Sequence, residues 1–316
     1  MTFILGTWNL ENLFKAGGPS GPKTEEAYQA KLAGLAATII RIGPDLLGVQ
    51  EVGDPEALDD LVALLDGEWH TALSEHPDGR GIRVGFLSRL PFTGVSDTTE
   101  FPEELLPVQT GDQGEEAAAM GRGVLTVQVE PADDQTLTVA TCHLKSKLLS
   151  FPGGRFNPRD EGERARFGAY ALYRRAAEAT TVRALADELL QGDGRTHDVA
   201  VLGDLNDEPQ AATTQILYGP PGSQIGTGGF DRPDRGDAMR LWNLAPLIPE
   251  EQRRSRVFEG QPELIDHILT SHALLQRVEE VSTGTGEQLD SITEDPTGRR
   301  DAPASDHAPV ITKLNY

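Results

Sequence analysis

The segment Val201-Leu202-Gly203-Asp204-Leu205-Asn206-Asp207 constrains this chain more than any other: an apolar run stops on glycine, then presents a carboxylate and a carboxamide two residues apart. Alternate residues of an extended chain point the same way, so Asp204 and Asn206 can serve one site. A buried strand that ends in glycine and acidic or amide residues is where α/β proteins usually place their chemistry. Alone, the same letters fit a strand followed by a turn. What lifts the reading is company, because Asn9, Glu51, His143 and the pair Asp306-His307 also stand at or near the ends of apolar runs, with Asp266 between the last two clusters. Each has an ordinary explanation as a turn former, a cap or a satisfied strand histidine. Jointly they bring the oxygen and imidazole groups of metal-assisted phosphate chemistry to one rim.

The surrounding pattern gives the fold class. Phe3 to Asn9 reads as a strand, Glu25 to Arg41 as a helix stopped by Gly43-Pro44, and Leu46 to Glu51 as a second buried strand. Pro55 to Leu65 reads as a short helix and Ile82 to Ser88 as a strand. Val124 to Glu130 and Thr136 to Leu144 form an expected hairpin, followed by a long helix from Glu163 to Leu190. Strands are expected at Val199 to Leu202, Leu264 to Thr270 and Pro309 to Leu314. Strands and helices interleave, so the class is α/β or α+β, and residues 1–316 are expected to form a single domain. Segments 97–120, 147–160, 219–240 and 284–304, rich in Gly, Pro and charge, read as long surface loops.

Composition narrows the function classes. With 38% hydrophobic and 25% charged residues the chain can bury a large core, and no apolar stretch approaches the roughly 20 residues that span a bilayer. No basic leader precedes the first strand, so a cytoplasmic location is expected, or secretion if a leader has been removed. The single Cys142 excludes an intrachain disulfide and a multi-cysteine zinc site. A net charge of −22 works against attraction to nucleic acid or anionic membrane. Charge is uneven, however: residues 97–116 hold seven acids and no base, whereas 143–183 hold nine bases against four acids. The acidic run reads as a solvated face. The basic run starts just after His143, and Lys145, Arg155, Arg159, Arg164 and Arg166 are expected to track substrate phosphates.

The ordered motifs Thr7-Trp8-Asn9, Gln50-Glu51, His143-Leu144-Lys145-Ser146, Gly203-Asp204-Leu205-Asn206, Ile265-Asp266-His267 and Ser305-Asp306-His307-Ala308-Pro309 resemble those of the endonuclease/exonuclease/phosphatase superfamily. That superfamily includes pancreatic deoxyribonuclease, exonuclease III-like abasic-site endonucleases, inositol polyphosphate 5-phosphatases and sphingomyelinases. The resemblance runs from Thr7 to Pro309 and is specific for the superfamily, far less so for substrate. It implies a four-layered αββα sandwich with two central, mainly antiparallel sheets. The His-Leu-Lys-Ser element and the arginine-rich helix after it are closest to bacterial nucleases of the group.

The resemblance also implies roles. A divalent cation offsets the negative charge that builds on a five-coordinate phosphorus. Magnesium, with manganese as substitute, prefers oxygen ligands, and Glu51 is the first choice, with Asn9 beside it and Asp306 as a further contact. Zinc fits less well, because the histidines are dispersed. Asp204 is expected to position and deprotonate the attacking water, with Asn206 holding that water or the phosphate. His307 is expected to bond the phosphate or move a proton, with its tautomer fixed by Asp266, and His143 to contact the scissile phosphate or protonate the leaving oxygen.

Two departures from the abasic-site pattern stand out. Arg83-Val84-Gly85-Phe86 lacks that group's Tyr-Gly, which leaves Arg83 as a candidate replacement, and Glu11 takes the place of an Asp two residues past Asn9 and reads as a surface carboxylate. The leading expectation is a magnesium-dependent nuclease on DNA or RNA, acting as a monomer without membrane or obligate protein partner. The alternative is a phosphatase or phosphodiesterase on nucleotides, inositol phosphates or lipid headgroups; an inactive binding module comes last, because every motif residue is kept.

Overall fold

The structure, a computed structural model, describes residues 1–284, 289–293 and 298–316. Its layering follows from alternation along the strands. In Thr2–Leu13, Phe3 and Leu5 enter one buried cluster while Trp8 and Leu10 enter another. Gln135–His143 sends Leu137 and Val139 one way and Ala140 and Cys142 the other; Asp198–Asp204 divides Ala200 and Leu202 from Val199 and Val201. Strands apolar on both faces need cover on both. Two sheets therefore share one core, and helices close the outer faces.

The first sheet has six strands in the order Val278–Thr283, Val310–Asn315, Thr2–Leu13, Leu46–Val52, Arg83–Ser88 and His70–Leu73. The second, also of six, runs Trp242–Asn243, Asp266–Thr270, Asp198–Asp204, Gln135–His143, Ala119–Ala132 and Gly94–Glu100. Each is antiparallel except for one central parallel pair, Thr2–Leu13 with Leu46–Val52 and Gln135–His143 with Asp198–Asp204. The sheets approach closely at Gly48, since a Cβ there would lie 2.3 Å from Leu202 Cδ1.

Helices α1 (Glu25–Ile42) and α2 (Pro55–Val62) lay Leu32, Leu35, Ile39, Leu58 and Leu61 on the first sheet. Thr24 caps α1 by accepting from Ala27 N, and Gly43 ends it in the left-handed conformation with φ 56°. Helix α3 (Glu161–Leu190) covers the second sheet with Ala179, Val182, Ala186 and Leu190. This is the four-layered sandwich expected from the motifs.

The differences concern edges. Gly94–Glu100 is a strand whose last residues fall in the stretch read as a loop at 97–120, and Val108–Gln109 pairs with Glu116–Ala117 in the same stretch. His70–Leu73 and Val278–Thr283 are further edge strands without a strand reading in the sequence. Half-exposed edges need no continuous apolar run, and their acids discourage further pairing. Segment 147–160 is irregular apart from a Phe151–Arg155 bridge, and 219–240 carries the short helix Gly228–Asp231. Of the loop expected at 284–304, residues 285–288 and 294–297 lie outside the described residues; Ser291–Ile292 joins Arg256–Phe258 and Gln261–Glu263 in a small sheet. Among the described residues no helix is long and apolar enough to cross a membrane.

Candidate active site

The site continues the rows that build the core between the sheets. Beyond the inward-facing leucines and valines come Thr7, Gln50 and Thr141, and Gln50 Nε2 joins the sheets by donating to Thr7 Oγ1 at 3.0 Å and Thr141 Oγ1 at 2.9 Å. Two residues further along the same rows stand Asn9 and His143, with Asp204 two beyond Leu202. In the second sheet Asp204 lies opposite His143 on one side and Asp266 on the other. The chemistry-bearing groups thus occupy the last positions of rows that are apolar further in.

Asp204 Oδ2 is the centre of the cluster. It accepts from Asn9 Nδ2 at 3.0 Å and lies 3.4 Å from His143 Nε2 and 4.0 Å from His307 Nε2. Asp204 Oδ1 accepts from Asn206 N at 2.8 Å, while Asn206 Nδ2 reaches back to the Leu144 carbonyl at 3.0 Å. His307 arrives on the turn before Val310–Asn315: Ser305 Oγ donates to Asn9 O at 2.7 Å, and Trp8 Nε1 holds His307 O at 2.8 Å. That turn sets His307 Nδ1 2.6 Å from Asp266 Oδ2.

Electrostatics pull the two imidazoles apart. Burial opposes a charge on His307, yet Asp266, Asp306 and Asp204 hold its pKa up at about 10. Burial drives His143 well below the ordinary histidine range, assisted by Arg122 and His307. Near neutrality His307 is therefore an imidazolium donating to Asp266, and His143 is a neutral ring. Nδ1 of His143 is buried without a hydrogen-bond partner among the described residues, and Nε2 faces the carboxylates, which favours the ring proton on Nε2. Burial and the neighbouring Asp266 lift Asp204 to about 7. A buried carboxylate lifted to about 7 can take up and release a proton near neutral pH.

Backbone strain is concentrated here. Glu11, Asn12, Glu51 and Asn206 all take positive φ, between 51° and 62°. Left-handed glutamates cost about 1–2 kcal/mol each and persist where the surroundings over-determine them. At Glu51 the return is direct: Oε2 accepts from Asn12 N at 2.8 Å, and Oε1 comes within 4.0 Å of His143 Nε2. Asp306 is half-buried beside Glu11, to which its backbone N donates at 2.9 Å.

The other expected contacts are engaged with groups of the protein itself. Arg83 Nη1 donates to the carbonyls of Gly53 at 3.2 Å and Gly81 at 2.9 Å, so it braces a turn. Lys145 Nζ caps Ser146 O at 3.0 Å and Leu148 O at 2.9 Å, and burial presses its pKa down to about 8. Arg155 closes a fork on Glu163 at 2.8 and 3.3 Å, Arg164 meets Glu161 at 2.7 Å, and Arg166 forks onto Asp112 at 2.8 and 2.9 Å. The backbone N of Arg159 donates to Glu163 as well.

Sequence reasoning passed over several residues. Arg122 bridges Asp78 Oδ2 at 3.0 Å and the His143 carbonyl at 3.4 Å, and Arg80 reaches Asn12 at 3.4 Å. Buried Glu178 receives the backbone N–H groups of Lys145 and Gly121. Arg175 holds Asp207 at 2.9 Å and the Lys145 carbonyl at 2.9 Å, so α3 ties down both loops that leave the site. A lone arginine or glutamate carries no sequence pattern that betrays such a partner. Lys31 and Glu11, one an apparent helix-surface residue and one an apparent surface carboxylate, are only 2% and 8% exposed.

A two-sheet sandwich with a His–Asp pair, a second histidine and a cluster of carboxylates on one rim defines a phosphoesterase arrangement. The chain belongs to the Endonuclease/Exonuclease/phosphatase family, whose model matches residues 6–307. Comparison with curated protein sequences gives no match. Solved structures share the fold at low identity. Truncated TDP2 of Caenorhabditis elegans is 14% identical with a TM-score of 0.58, covering 100% of this chain and 98% of that one. The human Nocturnin catalytic domain, solved with a bound sulfate anion, is 14% identical with a TM-score of 0.57, covering 99% and 94%. A mannosyl-6-phosphatase of Bacteroides thetaiotaomicron is 14% identical with a TM-score of 0.58, covering 99% and 100%.

Proposed function

We propose that this chain is a divalent-metal-dependent phosphodiesterase acting on nucleic acid or nucleotides, a nuclease on DNA or RNA with water as the attacking group. The observation that carries the reading is the environment of Asp204 Oδ2: an amide donor at 3.0 Å, a neutral imidazole at 3.4 Å and a cationic imidazole at 4.0 Å around one buried carboxylate.

The donor set fits a hard cation. Glu51 Oε1 lies 4.0 Å from His143 Nε2, Asn9 is bonded to Asp204, and Asp306 stands beside Glu11, so each brings an oxygen to this end of the sheets. Asp204, Asp266 and His307 also bring possible ligand atoms within 4.8 Å of one another. There, however, the His307 nitrogen nearest a carboxylate is already spent on Asp266 at 2.6 Å, which favours Glu51, Asn9 and Asp306 as the magnesium or manganese ligands. When bound, the ion would orient the phosphate and offset charge on its oxygens.

The remaining steps fall to the chain. Asp204 takes the proton of the attacking water, with Asn9 fixing its carboxylate and Asn206 shaping the turn that presents it. His307, kept protonated by Asp266, donates to a non-bridging phosphate oxygen. His143 offers its Nε2 proton towards the same oxygens or the leaving group.

A second reading has a specific observation in its favour. The forks of Arg155, Arg164 and Arg166 are filled by acids, which leaves less fixed positive charge for a long polyanion and supports mononucleotides, short strands or other small phosphate esters. One experiment separates these readings: incubation with magnesium or manganese against supercoiled plasmid, single-stranded oligonucleotides, RNA and inositol phosphates. Plasmid nicking or strand cleavage supports the nuclease, turnover of small esters alone selects the second reading, and full activity in excess chelator overturns both.

A further inference from the structure

Arg80 is an arginine at the edge of the site whose guanidinium no carboxylate closes. Its Nε lies 4.0 Å from Asp78 Oδ2, an oxygen that Arg122 already takes at 3.0 Å, and its Nη1 reaches Asn12 Oδ1 only at 3.4 Å. The side chain is 52% exposed. Arg155, Arg164 and Arg166, by contrast, meet their carboxylates at 2.8, 2.7 and 2.8 Å.

The backbone beneath Arg80 is fixed. Asp78 Oδ1 accepts from Arg80 N at 2.8 Å and Ile82 N at 3.0 Å, while Asp78 N donates to Ile82 O and Gly81 N to Asp78 O, each at 2.9 Å. Gly81 turns the chain with φ 93°, and Arg83 Nη1 holds its carbonyl at 2.9 Å. A tied backbone thus carries a loosely held side chain.

A circuit of contacts fixes where that side chain stands. From Arg80 it passes through Asn12, whose N donates to Glu51 Oε2 at 2.8 Å, and from Glu51 Oε1 to His143 Nε2 at 4.0 Å; from the His143 carbonyl it returns through Arg122 to Asp78. Arg80 therefore borders the side of the site formed by Glu51 and His143. An arginine that serves solubility alone needs no such anchorage.

We propose that Arg80 binds the phosphate next to the scissile one, so that the chain prefers substrates with two phosphates within reach, either consecutive links of a strand or a second phosphate on a small ester; this rests on the phosphodiesterase reading above. A planar guanidinium presents paired N–H groups that match two phosphate oxygens, and an incoming phosphate has only the long Asn12 contact to displace. With a net charge of −22 on the chain, a cation held at the mouth also eases the approach of a polyanion. Arg80 sets specificity and leaves the reacting phosphorus to the groups around Asp204.

The test neutralises phosphates one at a time. Short DNA and RNA oligonucleotides carry a single methylphosphonate at each linkage in turn, and kcat/KM at the neighbouring linkage is measured for wild type and Arg80→Met. In wild type, neutralising one flanking phosphate should lower kcat/KM by roughly tenfold or more. Arg80→Met should show that loss on the unmodified strand and almost none beyond it when the same phosphate is neutral, and Arg80→Lys, which keeps the charge without the fork, should recover part of it. If wild type hydrolyses small esters alone, the same cycle is run with inositol mono- and bisphosphates. Losses that multiply at every flanking position overturn the proposal, as does a wild type indifferent to every neutralised phosphate. A wild type that cleaves no phosphate ester with magnesium or manganese would instead sink the proposed function itself, and this inference with it.

Discussion

Asp204 and His307 divide the proton inventory of the site, and the division comes from what each touches. Asp204 faces a second carboxylate inside the protein and is lifted to about 7, whereas His307 is ringed by three carboxylates and stays charged to about 10. If Asp266 orients His307, removing either removes the same group. Asp266→Asn is then expected to lower turnover at least tenfold, about 1.4 kcal/mol of barrier, and adding His307→Ala should cost little beyond the worse single change. Turnover numbers for both singles and the double decide it; losses that multiply would reassign Asp266 to direct phosphate contact or to structure. Glu51→Gln keeps the volume and removes one ligand charge. We expect at least a hundredfold loss of turnover, ~2.7 kcal/mol, with an unchanged melting temperature in metal-free buffer. Wild-type turnover with wild-type metal affinity would remove Glu51 from the metal site.

Among the elements, the strands place the site and α3 stabilises its surroundings. At Gly48 the sheets meet closely, so a Cβ there would press on the Leu202 and Thr141 side chains. Gly48→Ala should therefore destabilise the protein by about 1–3 kcal/mol, visible as a lower melting temperature, because the core must shift to admit a methyl group. An unchanged melt would mean that the sheets separate there at no cost. The arginines in and just before helix α3 suggest a phosphate-tracking surface, but acids face them, Glu161 at i−3 from Arg164 and Asp112 from a loop beside Arg166. Joint replacement of Arg155, Arg159, Arg164 and Arg166 by Ala is expected to change the salt slope of oligonucleotide binding by well under the roughly 0.7–0.9 per contact of a freed phosphate grip. A drop of two or more would show that these ion pairs open to admit substrate.

At the scale of the whole molecule, a net charge of −22 surrounds a site that itself gathers carboxylates. Burial and Asp306 raise Glu11 to about 7, and burial and Asp266 raise Asp204 to about 7. A carboxyl whose folded pKa lies above its unfolded value binds more protons folded than unfolded, so its contribution is complete at low pH and is lost as pH rises through 7. Metal-free protein should accordingly melt at a lower temperature at pH 8 than at pH 6, and millimolar magnesium should narrow the difference. His307 acts in the same direction at higher pH, losing its contribution as pH climbs towards 10. A metal-free melting temperature that rises from pH 6 to pH 8 would contradict these assignments.

Much of this was legible in the letters. Apolar runs buried on both faces required two covered sheets, and the polar residues that end those runs, Asn9, Glu51, His143 and Asp204, marked the rim, because alternation is a local property that the sequence carries intact. Edge strands such as Gly94–Glu100 escaped notice, since half-exposed strands need no apolar pattern. Which charges are free was decided by the tertiary structure alone. Arg166 and Asp112 lie 54 residues apart, and Arg299 and Glu11 lie 288 apart, so their pairing follows from how the layers bring distant segments together. Sequence determined the fold class and the rim residues because hydrophobic burial acts through local periodicity. Folding alone decided that an arginine closes on Glu11 and that the two histidines of one site are pushed in opposite directions, because Coulomb energy and desolvation depend on distances in space rather than along the chain.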